Sequence, residues 1–167
     1  MSMRFYILFV FVTLLMGTSA LSDTWLPFEQ KICLSPNGKY KVIVAKDRRA
    51  TLTASDGKEL ASWDLVNLPT SGFVSNSGRY FVTMGQHGGG LWDSVGLAVY
   101  SRGGKLMKKW SVRELVSEDD AGRTVSSLIW FDGRRCAFSD DESSFGIHLV
   151  MEDILVVNLT TFDVIRN

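Results

Sequence analysis

The sequence predicts an all-β domain of three four-stranded antiparallel units, with one short helix near residues 112–118. Three observations point there. The first is a gapless internal repeat: "LSPNGKYKVIVAK" from Leu34 aligns with "VSNSGRYFVTMGQ" from Val74, placing Gly38 on Gly78. A weaker third copy, "IWFDGRRCAFSDD" from Ile129, puts Gly133 at the same position. The second is a motif that follows each copy. "SDGKELASW" (Ser55 to Trp63) matches "RGGKLMKKW" (Arg102 to Trp110), and "TTFDVIRN" at the C-terminus is a version without its glycine. The third is a hydrophobic content of 46%, which belongs to a folded globule rather than a disordered tail.

Asn-Gly, Ser-Gly, Asp-Gly and Gly-Gly flanked by β-branched and aromatic residues are hairpin signals, because glycine accepts the positive φ of a tight turn. The first unit, about 28–66, therefore reads as strands near 29–34, 40–46, 50–54 and 59–65. The second, about 71–118, reads as strands near 72–75, 79–84, 95–100 and 106–110. The third, about 125–167, reads as strands near 127–131, 134–139, 153–159 and 163–166. Runs such as "KVIVA" and "ILVV" are apolar on both faces, as expected of strands enclosed between neighbouring sheets. Ser111 followed three residues later by Glu114 forms a capping box. Trp110 and Leu115 stand where a hydrophobic staple would join across it, so the helix begins at about 112.

The chain opens with Arg4, an apolar run from Phe5 to Met16, and the small residues Gly17, Thr18, Ser19 and Ala20. That order predicts a secretory signal peptide over 1–20 and an exported, periplasmic or extracellular, single domain over 21–167. The run is shorter than the roughly 20 residues of a membrane span, and no later stretch would cross a bilayer. Beyond residue 20 there are 17 basic and 18 acidic side chains. This balance excludes nucleic acid and anionic membrane surfaces as partners, since both need concentrated positive charge. Cys33 and Cys136 are either a disulfide, which an exported protein permits, or two small buried hydrophobes.

Four-stranded units with "SPNGKY" and "DGK" turns resemble the blades of TolB-like and WD-like β-propellers. Three blades are fewer than the four to eight that close a ring, so the expectation is an incomplete propeller. Its exposed ends make self-association a natural remedy, two chains completing six blades. The chain also resembles a set of small, exported, uncharacterised bacterial proteins. The likeness rests on Ser75 to Thr83, on His87, on Val99 to Leu115, and on Val125 to Gly133. It implies an exported β-rich domain and brings no known activity, ligand or cofactor.

Lining up the repeats on their glycines places long inserts between the second and third strands of units two and three. These inserts, "GQHGGGLWDS" and "DDESSFGIHLVME", hold both histidines. On this reading His87, Trp92, Asp93, Asp140, Asp141 and His148 share one elaborated corner, where a rigid scaffold would carry a binding site. His87, His148 and Asp141 are the candidate metal ligands, imidazole and carboxylate suiting zinc, although no H-E-x-x-H spacing is present. Glycines Gly88 to Gly90 would let backbone amides approach an anion, but no P-loop context surrounds them. No G-x-S-x-G elbow marks a nucleophile, and no residue is singled out as catalytic. Two functions follow: a non-enzymatic extracytoplasmic binding or scaffold module contacting a protein or small ligand, or a small metal-assisted hydrolase at the His87–His148 corner.

Overall fold

The computed structural model describes residues 26–87, 91–123 and 128–167. The expected signal peptide lies outside these residues, as do Gly88 to Gly90. Among the described residues no helix is long and apolar enough to cross a membrane.

One turn design, used three times, organises the chain. In the first copy the Ser35 N–H donates to Tyr40 O and the Gly38 N–H to Ser35 O, both at 2.9 Å. The Ser35 hydroxyl oxygen accepts the Tyr40 N–H, and Asn37 Oδ1 accepts the Lys39 N–H. Ser75, Ser77, Gly78 and Tyr80 repeat the arrangement. Gly38 and Gly78 adopt φ +69° and +67°, a region in which an L side chain is strained by about 1–2 kcal/mol.

The third copy is not at Gly133. It runs from Ser139 to Ser144: Ser139 N–H donates to Ser144 O, Glu142 N–H to Ser139 O, and Asp141 Oδ1 accepts the Ser143 N–H. Glu142 takes the left-handed position at φ +56°. The expected third unit is therefore corrected in register. Its four strands are β11 (Ala137–Phe138), β12 (Ser144–His148), β13 (Ile154–Asn158) and β14 (Val164–Arg166). The segment expected as its first strand instead gives β10 (Leu128–Ile129), which pairs with β9 (Gly122–Arg123) in a separate two-stranded ribbon.

The first two units match expectation. Blade 1 is β1 (Gln30–Leu34), β2 (Tyr40–Ala45), β3 (Arg49–Ala54) and β4 (Glu59–Asp64). Blade 2 is β5 (Ser71–Val74), β6 (Tyr80–Met84), β7 (Val95–Ser101) and β8 (Leu106–Ser111). Each of the three four-stranded sheets is an antiparallel meander in chain order. The helix is shorter than expected, α1 spanning Val112–Leu115, with a 3₁₀ turn at Glu118–Asp120. Its capping box forms, Glu114 Oε2 accepting the Ser111 N–H at 2.7 Å and the Ser111 hydroxyl at 2.8 Å.

Strand alternation assigns each face to a neighbour. In blade 2, Phe81, Ala98 and Tyr100 pack with Val42, Val44, Leu52 and Trp63 of blade 1. The alternate residues Tyr80, Val82, Met84, Leu97 and Val99 pack with Phe145, Ile147, Leu155 and Val157 of blade 3. Every residue of β6 is thus buried, while β2, β12 and β13 alternate between buried and half-buried. Burying each such apolar side chain stabilises the fold by about 1.5–3 kcal/mol. The core is two seams, one on each side of blade 2.

Hydrogen bonds tie the turns across both seams. Asn37 N–H donates to Asn76 Oδ1 at 2.9 Å, and Asn37 Nδ2 to Asn76 O at 2.8 Å. Ser77 N–H donates to Glu142 Oε1 at 2.8 Å, and the Ser77 hydroxyl donates to the same carboxylate.

Candidate functional site

A four-stranded meander has two edges. The turns after the first and third strands lie on one, and the connection after the second strand lies on the other. The corrected register divides the sequence candidates between them. His87, Trp92, Asp93 and His148 belong to the loop edge, whereas Asp140 and Asp141 lie in the turn before β12, on the opposite edge. The expected shared corner is therefore not formed. From Ser144 to His148 the chain runs four residues along one strand. At 3.3 Å per residue that is about 13 Å, far beyond the reach of one metal ion with bonds near 2 Å.

His148 is no loop residue. It ends β12, pairs with Ile154, and accepts the Asp132 N–H through its carbonyl at 2.8 Å. The connection after it is a plain turn, Glu152 N–H donating to Leu149 O, equivalent to Arg48 N–H donating to Ala45 O in blade 1. Arg48 and Glu152 share the left-handed conformation, φ +71° and +74°. Only blade 2 carries an insertion on this edge.

The described parts of the insertion, residues 85–87 and 91–94, are braced from several sides. His87 N–H donates to Leu68 O at 2.8 Å, and His87 Nε2 lies 2.9 Å from Leu26 O. The Phe28 ring meets the imidazole edge-on at 5.2 Å. Beneath it, the buried Asn67 amide donates to Gly85 O and Val95 O. At its far end Arg113 N–H donates to Trp92 O, and Arg113 Nε lies 3.1 Å from Asp93 Oδ1. Both charged partners are exposed, so that pair orients the loop more than it stabilises the fold. Beside these braces Leu26 and Leu91 remain 82% and 73% exposed. Trp92 packs against the blade 2–blade 3 core, so it supports the loop from within.

On the other edge the acidic residues have structural work. Asp141 accepts from the Ser143 N–H and from the Ser139 and Ser143 hydroxyls. These donors, the backbone N–H first, pull its carboxyl down to about 2. Glu142 clamps blade 3 to Ser77. Asp140 lies on the rim of a cavity of about 150 Å3 between β1, β5 and β11, whose walls include Leu34, Phe73, Cys136 and Phe138.

Among the described residues no three His, Cys, Asp or Glu side chains gather as a metal site would require. His87, His148 and Asp141 are spread over two edges, which removes the three-ligand basis of the hydrolase reading. Of the two readings of the cysteines, the structure has the small buried hydrophobes: Cys33 and Cys136 are both free and buried. Cys33 belongs to the blade 1–blade 2 core and Cys136 to the blade 2–blade 3 core, so the sheet of blade 2 stands between them. Burial pushes each thiol up to about 11, where it is poorly nucleophilic.

No family model matches the chain, and no curated protein matches it. Solved structures do. HIRA superposes with a TM-score of 0.55 at 12% identity over 81% of this chain and 37% of its own. BamB from Moraxella catarrhalis gives 0.51 at 8% identity over 81% and 35%. A eukaryotic initiation factor gives 0.50 at 19% identity over 77% and 28%. The neighbours include β-propeller proteins, and the likeness establishes the fold: three propeller-like blades of an incomplete ring. This chain spans between 28% and 37% of the length of each of the three.

Proposed function

We propose that the chain is an exported, non-enzymatic binding or scaffold module whose protein partner docks on the loop edge around His87, Trp92 and Asp93. The observation that carries this reading is the blade 2 insertion. Its equivalent in blades 1 and 3 is a minimal turn, and residues 85–87 and 91–94 of the insertion are held by backbone, ring and side-chain contacts, so these residues lose little ordering entropy on docking. Its Leu91 is exposed to solvent two residues from the carboxylate of Asp93, and Leu26, bonded to His87, is exposed as well. Exposed apolar side chains on a rigid, polar-rimmed edge mark interaction surfaces. Export rests on the signal-peptide pattern of residues 1–20.

A photo-crosslinking residue placed at Leu91 in producing cells should give one discrete protein adduct, identifiable by mass spectrometry. The same residue at Asp56, in the β3–β4 turn on the opposite edge, should not. Equal crosslinking at both positions, or none at Leu91, would reject the loop edge as the docking site. N-terminal sequencing of the extracytoplasmic fraction should find the chain starting at Leu21.

A further inference from the structure

We propose that a second copy of this chain docks head to tail on the first, the free face of blade 3 seating on the free face of blade 1, so that two copies close a six-bladed ring. The two interior seams show what such a contact requires. Each blade meets the next with its bulkier face: Tyr40, Val42 and Trp63 in blade 1, Tyr80, Val82 and Trp110 in blade 2. The receiving face of blade 2 carries small residues where it is approached most closely. A Cβ at Gly72 would lie 2.7 Å from Cys33 Sγ, and one at Gly78 2.7 Å from the Tyr40 ring.

At the free ends the sizes are exchanged. Pairing register puts Ile32 of blade 1 at the position of Gly72, and Ile43 at that of Thr83. The same register puts Ala137 of blade 3 where the other blades have Cys33 and Phe73, and Gly146 where they have Val42 and Val82. The large side chains thus project from the receiving face, and the face that would approach it is small at the matching positions, Ala137 and Gly146. Ile32 and Leu34 are 59% and 62% exposed on one free face, and Ile165 is 56% exposed on the other. Charge complements shape. Residues 26–66 hold seven basic and five acidic side chains, whereas residues 128–167 hold three basic and seven acidic. Opposite net charge on the two ends favours head-to-tail contact over either end meeting its own kind. The geometry continues the two existing seams, and six blades fall within the range that closes.

Sedimentation velocity on the purified chain should show a concentration-dependent dimer that weakens as salt rises, because screening acts on the complementary ends. Ile32→Glu and Gly146→Arg should each raise the dissociation constant at least ten-fold. Gly146 can take a side chain, its nearest neighbour to a Cβ being Ala137 O at 3.7 Å, and circular dichroism of each variant should match that of the parent chain. Leu34→Glu is a second probe on the blade 1 side. An equimolar mixture of the Ile32→Glu and Gly146→Arg chains should regain part of the dimer, since one of its two seams joins unaltered faces. A monomer at every concentration, a dimer indifferent to either substitution, or open oligomers beyond the dimer would overturn the proposal.

Discussion

The two seams beside blade 2 join the same repeat positions with opposite means. Between blades 1 and 2 the left-handed turn positions of blade 2 are glycines pressed against aromatic rings, Gly78 on Tyr40 and Gly104 on Trp63. Between blades 2 and 3 the equivalent positions are Glu142 and Phe162, still left-handed at φ +56° and +63°. Each reaches back to blade 2, Glu142 to Ser77 and Phe162 to the Trp110 ring at 6.4 Å. At these turn positions one seam is closed by the absence of side chains, the other by side chains whose contacts offset the backbone strain. A turn glycine here is therefore as much a seam residue as a turn residue.

Removing the anchor of the glycine-lined seam should have the largest effect. Trp63 is buried and meets Phe81, Tyr100 and Gly104, so Trp63→Ala should destabilise the fold by about 3–5 kcal/mol in urea unfolding. The side-chain-bridged seam should respond less. Glu142→Ala loses two charge-assisted hydrogen bonds at an exposed site, about 1–2 kcal/mol. Glu142→Gly should be less damaging than Glu142→Ala by about 1 kcal/mol, because it releases the left-handed strain. If the two variants are equal, strain is not part of that seam.

The smallest effect should come from acid. Folding depresses the Asp141 carboxyl to about 2, below its ordinary value of 3.8. Its contribution is complete above about pH 4 and is lost as pH falls toward 2, where the folded state must also take up the proton. Asp141→Asn should flatten that part of the stability-versus-pH profile, and thermal melts between pH 2 and 5 would read it.

The same contrast explains what was legible in the sequence. Blades 1 and 2 were, because Gly38, Gly57, Gly78 and Gly104 announce their turns and the copies align without a gap. Blade 3 was misregistered, because Glu142 and Phe162 replace the signal glycines and Gly133 offered a false match. That register makes strand β12 read as a loop, and it assigns Asp140 and Asp141 to the edge that carries His87. The blade 2 insertion was recognised, since its length stands against two well-marked strands. Its bracing by Leu26, Phe28 and Leu68 was not, because those residues belong to segments with no repeat signal. The cysteines fell in separate cores because strand alternation gives them to opposite faces of blade 2, which a count of cysteines does not reveal.

Two seams, one on each side of blade 2, hold the three blades together, and a matched glycine pair separates seam contact from turn strain. Gly57 and Gly104 occupy the same turn position with φ +84° and +80°. A Cβ at Gly57 meets nothing within 4 Å, whereas one at Gly104 lies 2.6 Å from Trp63. Equilibrium unfolding in urea should show Gly57→Ala losing about 1 kcal/mol, from backbone strain alone. Gly104→Ala should lose about 3 kcal/mol or more, from strain and overpacking together. Equal losses would mean that blade 2 does not press on Trp63, and the account of the seams would fail.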